Sequence, residues 1–127
     1  MNLINKILVT LVALEHLYIL VLEMFLWTTP RALRVFDMTM EVAEITQPLA
    51  INQGLYNGFL AAGLVWALLH PNEGFGRQIA IFFLLCVVAA AILGGITAGP
   101  SIFVVQGTPA ILALLSLWFW RRQTQTS

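Results

Sequence analysis

Glu15, His16 and Glu23 stand in residues 11–27, LVALEHLYILVLEMFLW, where nearly every neighbour is apolar. Two carboxyls and an imidazole are the groups a protein uses to hold and move protons. A run of this kind reads as a membrane-spanning helix. An ionisable group at that depth costs a few kcal/mol, so it faces a protein interior or a water-filled cavity. At 100° per residue His16, Glu23 and Trp27 fall within about 20–40° of one line, and Glu15 lies a full 100° from His16. These residues are the candidates for acid/base work. Tyr18 fits packing better than proton transfer.

Hydrogen-bonding groups recur further along the chain. Asn52, Gln53, Tyr56 and Asn57 crowd the first half of a second apolar segment, and Gln106 interrupts a fourth. Glu23 lies about 6 Å from the Trp27 end of its helix, and Glu15 and His16 about 17 Å from it, near mid-membrane. Antiparallel packing puts Asn52, Gln53 and Gln106 about level with Glu23, and Asn57 near Glu15 and His16. Three helices therefore bring polar groups to one half of the molecule, the half nearest the loop after the first helix. The plain alternative is that the amides are helix–helix glue at roughly 1 kcal/mol each. No resident metal is expected, because His16 and Glu23 are about 10.5 Å apart along the axis and amides are poor transition-metal ligands. There is no HExxH or repeated Glu-x-x-His pattern. No cofactor is indicated.

Composition places these residues in lipid. The 127 residues are 60% hydrophobic and 9% charged, with mean hydropathy +0.90; soluble domains carry roughly 25% charged residues. Six basic and six acidic residues cancel and are spread widely, which leaves no footprint for nucleic acid. Cys86 is the only cysteine, so no intrachain disulfide forms. The first apolar run is too long and too interrupted for a signal peptide, and no small-residue cleavage site follows it.

The expected architecture is all-α: a single up-down-up-down four-helix transmembrane domain over residues 1–127. Its helices are predicted at about 4–27, 48–69, 77–98 and 101–120. Thr29-Pro30 predicts a short interfacial helix over 31–38, and Thr39 could cap another before Pro48. Gly54, Gly58 and Ala62, and likewise Cys86, Ala90, Gly94 and Ala98, predict small-residue contact faces. Ser101 is the expected cap of the last helix. Pro109 predicts a bend near Gln106, Arg121 and Arg122 close the last helix at the headgroups, and the tail from Gln123 is expected to be irregular. Lys6, Arg77, Arg121 and Arg122 on one side outnumber Arg31 and Arg34 on the other. That imbalance puts both termini in the cytoplasm of a multi-pass inner-membrane protein.

The blocks LEHLYILVLEMFLWTTP, NQGLYNGFLAAGL and VQGTPAILALL resemble the small bacterial integral-membrane family catalogued as domain of unknown function 1304. The resemblance covers nearly the whole chain, implies a compact four-helix membrane protein, and brings no activity with it. In architecture and residue types the chain is also similar to emopamil-binding-type proteins, which hold apolar molecules through buried acids. Three functions are expected in turn. The first is a pocket that binds, and transforms by acid/base chemistry, a small apolar or lipidic molecule. There Glu15, His16 and Glu23 would be reactive, and Asn52, Gln53, Tyr56, Asn57, Gln106 and Trp27 would orient the ligand. The second is a proton-coupled exporter working as a homodimer, similar in outline to the small multidrug resistance type. The third is an accessory subunit of a membrane complex.

Overall fold

A computed structural model describes the backbone of residues 1–125 and the side chains of residues 1–119. All regular structure in the described residues is helical: α1 (Leu3–Phe25), α2 (Pro30–Val35), α3 (Met40–Leu69), α4 (Glu73–Thr97), α5 (Pro100–Ile102), a π-helical turn (Phe103–Gly107) and α6 (Thr108–Gln125). Three stretches are long and apolar enough to cross a membrane: Leu3–Phe25, Glu73–Thr97 and Pro100–Phe119. Large apolar side chains cover the outside, among them Leu69 at 76% exposed and Ile96 at 78%. Such surface has no place in water and suits lipid.

Local signals explain where the helices begin. The Asn5 backbone N–H donates to Asn2 Oδ1 (2.8 Å), and the Asn2 N–H returns a bond to Asn5 Oδ1 (3.1 Å). That reciprocal box satisfies donors which would otherwise be orphaned at the start of α1. Asn5 also reaches across to Ser116 Oγ on α6 at 3.0 Å. Thr29, Thr39 and Asn72 cap α2, α3 and α4 through side-chain oxygens, and Pro30 occupies the first turn of α2, where a missing N–H costs nothing.

Several boundaries differ from expectation. The helix expected from Pro48 begins at Met40, and Pro48 lies inside it. The ring denies the Glu44 carbonyl its usual partner, yet the turns before it are held by contacts of their own. Ala43 is fully buried, and Trp27 Nε1 donates to Thr46 Oγ1 at 3.1 Å. The separate short helix expected after Thr39 is thus the start of α3. α4 begins at Glu73 rather than near residue 77, because Asn72 caps it. Gly99, at φ 149°, precedes α5 and Pro100 is its first residue; the Ser101 cap is not formed. Only glycine adopts that φ freely. The bend expected near Gln106 takes the form of the π turn over 103–107. Helical backbone continues to Gln125, past the expected end at 120 and into the tail expected to be irregular. The side chains of Arg121 and Arg122 lie outside the described residues.

α1 packs along α3, α3 along α4, and α6 against both α1 and α4. Val9, Val12, Leu64, Leu84, Val87 and Leu117 form the fully buried core. The α1–α3 contact is close because Gly54 has no side chain. A Cβ there would press on Met24 Cγ and lie 3.2 Å from the Leu20 carbonyl oxygen. Ala62, expected on the same face, is exposed; Ala61 and Leu64 are buried instead. On α4 the buried line is Gly76, Ala80, Leu84, Val87 and Ala91, and not the stripe from Cys86 to Ala98.

Candidate functional site

α1 presents its inner stripe as Val9, Val12, His16, Ile19 and Glu23, the i, i+3, i+4, i+7 pattern of one helix face. Glu23 is 7% exposed. Its Oε1 accepts from Asn57 Nδ2 on α3 at 2.8 Å, and the same amide donates to the Gln53 carbonyl oxygen at 3.1 Å. Among the described residues the second Glu23 oxygen has no hydrogen-bond partner. The i, i+4 spacing of Gln53 and Asn57 orients the amide, and the absent side chain at Gly54 lets α3 come close enough to reach Glu23.

Three adjoining cavities lie around this carboxyl. The largest, about 640 Å³, is lined by Glu23, Trp27, Phe36, Asp37, Thr46 and Gln53, and closed by Ala98–Ile102. A second, about 310 Å³, has Glu23, Gln53, Tyr56, Asn57 and Gln106 on one side and Ala90, Gly94, Thr97 and Ala98 on the other. Gly94 also lets Ile102 of α5 approach closely, since a Cβ there would lie 2.9 Å from Ile102 Cγ2, so this face makes a contact and borders a cavity. The third, about 200 Å³, is lined by Glu15, Tyr18, Phe36, Ser101, Ile102 and Gln106. Ile102 borders all three.

The wall toward the loop is built by α2. Trp27 and Phe36 stack with ring centroids 4.8 Å apart, and Thr46 pins the indole. Arg31 Nε donates to Tyr18 OH at 2.7 Å and sits over the Tyr18 ring. These contacts fold the short helix back over the end of α1.

The expected site residues separate into those that meet and those that do not. Glu23, Trp27, Gln53, Tyr56, Asn57 and Gln106 line the first two cavities between them, and Glu15 lines the third. Glu15 Oε2 is buried without a hydrogen-bond partner. Asn52 lines none of the three, because the 100° step per residue turns it away from Gln53. His16 borders none of the three. It is fully buried, its Nδ1 lies 2.8 Å from the Val12 carbonyl oxygen, and its Nε2 has no partner. Sequence reasoning missed Phe36, Asp37, Thr46 and Ile102. Only Phe36 carried a signal, as an aromatic ending a short capped helix. Among the described residues no group of three His, Cys, Asp or Glu side chains is placed to hold a metal ion.

Three membrane-length apolar helices among the described residues, with a carboxyl buried within the first, mark an integral-membrane type of protein. The sequence profile described as protein of unknown function (DUF1304) matches residues 10–118, and the chain belongs to that family. It is 37% identical over 121 residues to uncharacterized protein YpaA of Lactococcus lactis subsp. lactis, covering 94% of this chain and all of that one. No solved structure matches.

Proposed function

We propose that the protein is a single-domain, four-span, up-down-up-down helical bundle in the cytoplasmic membrane, with both termini in the cytoplasm, that binds a small apolar or lipidic molecule in the cavities around Glu23. Three spans are the apolar helices; the fourth is α3 from about Pro48, which packs along α1 at Gly54 and bonds to it through Asn57. The observation that carries the reading is Glu23 itself. A carboxyl inside a membrane-length helix has one oxygen held by Asn57, the other free, and borders two cavities. A side chain that served only as glue would be satisfied by its neighbours.

Within the reading, Glu23 is the acid/base or counter-charge, and Asn57 keeps it oriented. Gln53, Tyr56 and Gln106 offer hydrogen bonds to the ligand, and Trp27 forms an apolar wall. Isomerisation or another proton-relocating reaction suits these groups. A nucleophilic hydrolysis does not, since among the described residues no Ser or Cys is hydrogen-bonded to a carboxyl or histidine. No ligand contact is assigned to His16 or Asn52. Glu23→Gln keeps the size and the bond to Asn57 while removing the charge. Folded yield and thermal midpoint should hold, and the co-purifying small molecule seen by native mass spectrometry should be lost. An unaltered bound-molecule profile would sink the proposal.

The second reading is a proton-coupled exporter acting as a homodimer, favoured by the partnerless Glu15 Oε2 near mid-membrane. It requires a dimer in mild detergent and pH-driven flux in vesicles that Glu15→Gln abolishes.

A further inference from the structure

Charge is distributed unevenly around the cavities. Glu23 and Asp37 line the first and Glu15 lines the third, three of the six acidic residues in the chain. Among the described residues no lysine or arginine lines any of the three cavities. The first and third share Val35, Phe36, Ser101 and Ile102 as a common wall, so the acids border adjoining cavities.

Two of the carboxyls are left wanting a partner. Glu15 Oε2 is buried with none, and Glu23, 7% exposed, uses only one oxygen. Opposite them stand aromatic faces. The Trp27 indole is held by Thr46 and tilted on Phe36 at 4.8 Å, so its ring keeps a fixed position against the first cavity. A ring face attracts a cation, most strongly when both are removed from water. Acids without bases, a pinned indole and apolar surroundings are complementary to one class of molecule. An anion would meet uncompensated carboxylates, and a neutral molecule without a hydrogen-bond donor would leave their oxygens unsatisfied.

We infer that the ligand of these cavities is a lipophilic cation, an apolar body bearing an amine or other positive centre, seated between Glu23 and the Trp27 face. The inference rests on the pocket reading and adds the charge of the occupant. A cavity of about 640 Å³ is within the range of small-molecule sites. Glu23 supplies the main counter-charge because it is buried. Asp37, exposed at the rim with φ 50°, steers the cation inward.

Tetraphenylphosphonium and tetraphenylborate test this directly, since they have nearly the same shape and opposite charge. Equilibrium dialysis of each against the full chain in lipid nanodiscs, with empty nanodiscs as blank, reads binding. The cation should bind saturably at one per chain and the anion should not. Glu23→Gln should weaken cation binding at least about tenfold. Asp37→Asn should weaken it about threefold, with folding unaffected because asparagine tolerates a positive φ. Equal saturable binding of the two ions, or cation affinity unchanged in both variants, overturns the cation preference and leaves the pocket standing. Saturable binding of neither ion, with no co-purified molecule, overturns the pocket as well. Should Glu23→Gln fail to fold, Asp37→Asn and the ion pair still decide the matter.

Discussion

Glu23 and His16 share one face of α1, yet their surroundings give them opposite expectations. The Asn57 amide satisfies one Glu23 oxygen, so removing it strands a buried carboxyl. Asn57→Leu should destabilise the folded protein by about 1–3 kcal/mol, whereas Glu23→Gln, which retains the bond, should cost under about 1 kcal/mol. Thermal midpoints in mild detergent report both, and equal losses would mean that the bond is not what holds Asn57 in place. His16 gives the reverse case. Its Nε2 has no partner, and Val12, the carbonyl its Nδ1 approaches, sits one turn back in the same helix. His16→Leu removes an unsatisfied polar atom at similar volume and should leave the midpoint unchanged or raised. A loss as large as that of Asn57→Leu would show that a water or ligand completes His16.

At the scale of elements, α3 is the helix whose contacts matter most. An alanine at 54 would meet Met24 and the Leu20 carbonyl oxygen of α1, and backbone does not yield. Gly54→Ala should therefore cost about 1–3 kcal/mol. At Gly58 the obstacle is only the Leu20 Cδ1 methyl at 2.7 Å, the end of a side chain that can turn. There alanine regains up to about 1 kcal/mol of helix propensity, so Gly58→Ala should be milder. Midpoints that rank the other way would displace the α1–α3 contact from Gly54. Pro48 tests the continuity of α3. Pro48→Ala restores the missing N–H and should stabilise by about 1–3 kcal/mol. A neutral result would return the start of the helix to Pro48.

For the molecule as a whole the open matter is orientation. Reporter fusions after residue 69 and at the C-terminus should be cytoplasmic, and one inserted between residues 36 and 40 should be on the opposite face. That follows from the excess of Lys6, Arg77, Arg121 and Arg122 over Arg31 and Arg34. The reverse pattern would put the α2 end, and the cavities with it, on the cytoplasmic side.

Membrane character, the caps at Thr29 and Thr39 and the irregularity near Gln106 were legible in the sequence. Each depends on interactions within a few residues: apolar run length, a side-chain oxygen three positions before an N–H, a proline four positions after a carbonyl. Helix rise converts residue number into depth, but it placed Asn57 level with Glu15 and His16, whereas the packing of α3 on α1 bonds it to Glu23. What tertiary structure decided was direction and company. Asn52 and Gln53 are equivalent in composition and depth and both are exposed, and only the rotation of α3 against α1 brings Gln53 and not Asn52 to the cavities. The small residues of α4 read as a contact face, and Gly94 does receive Ile102 of α5 at close range, but the same face also borders a cavity, which only the position of α5 decides. Pro48 reads as a boundary until Trp27, twenty-one residues earlier, holds the preceding turn of α3 by its bond to Thr46. Such long-range contacts have no local signature, because they arise from which helix faces meet.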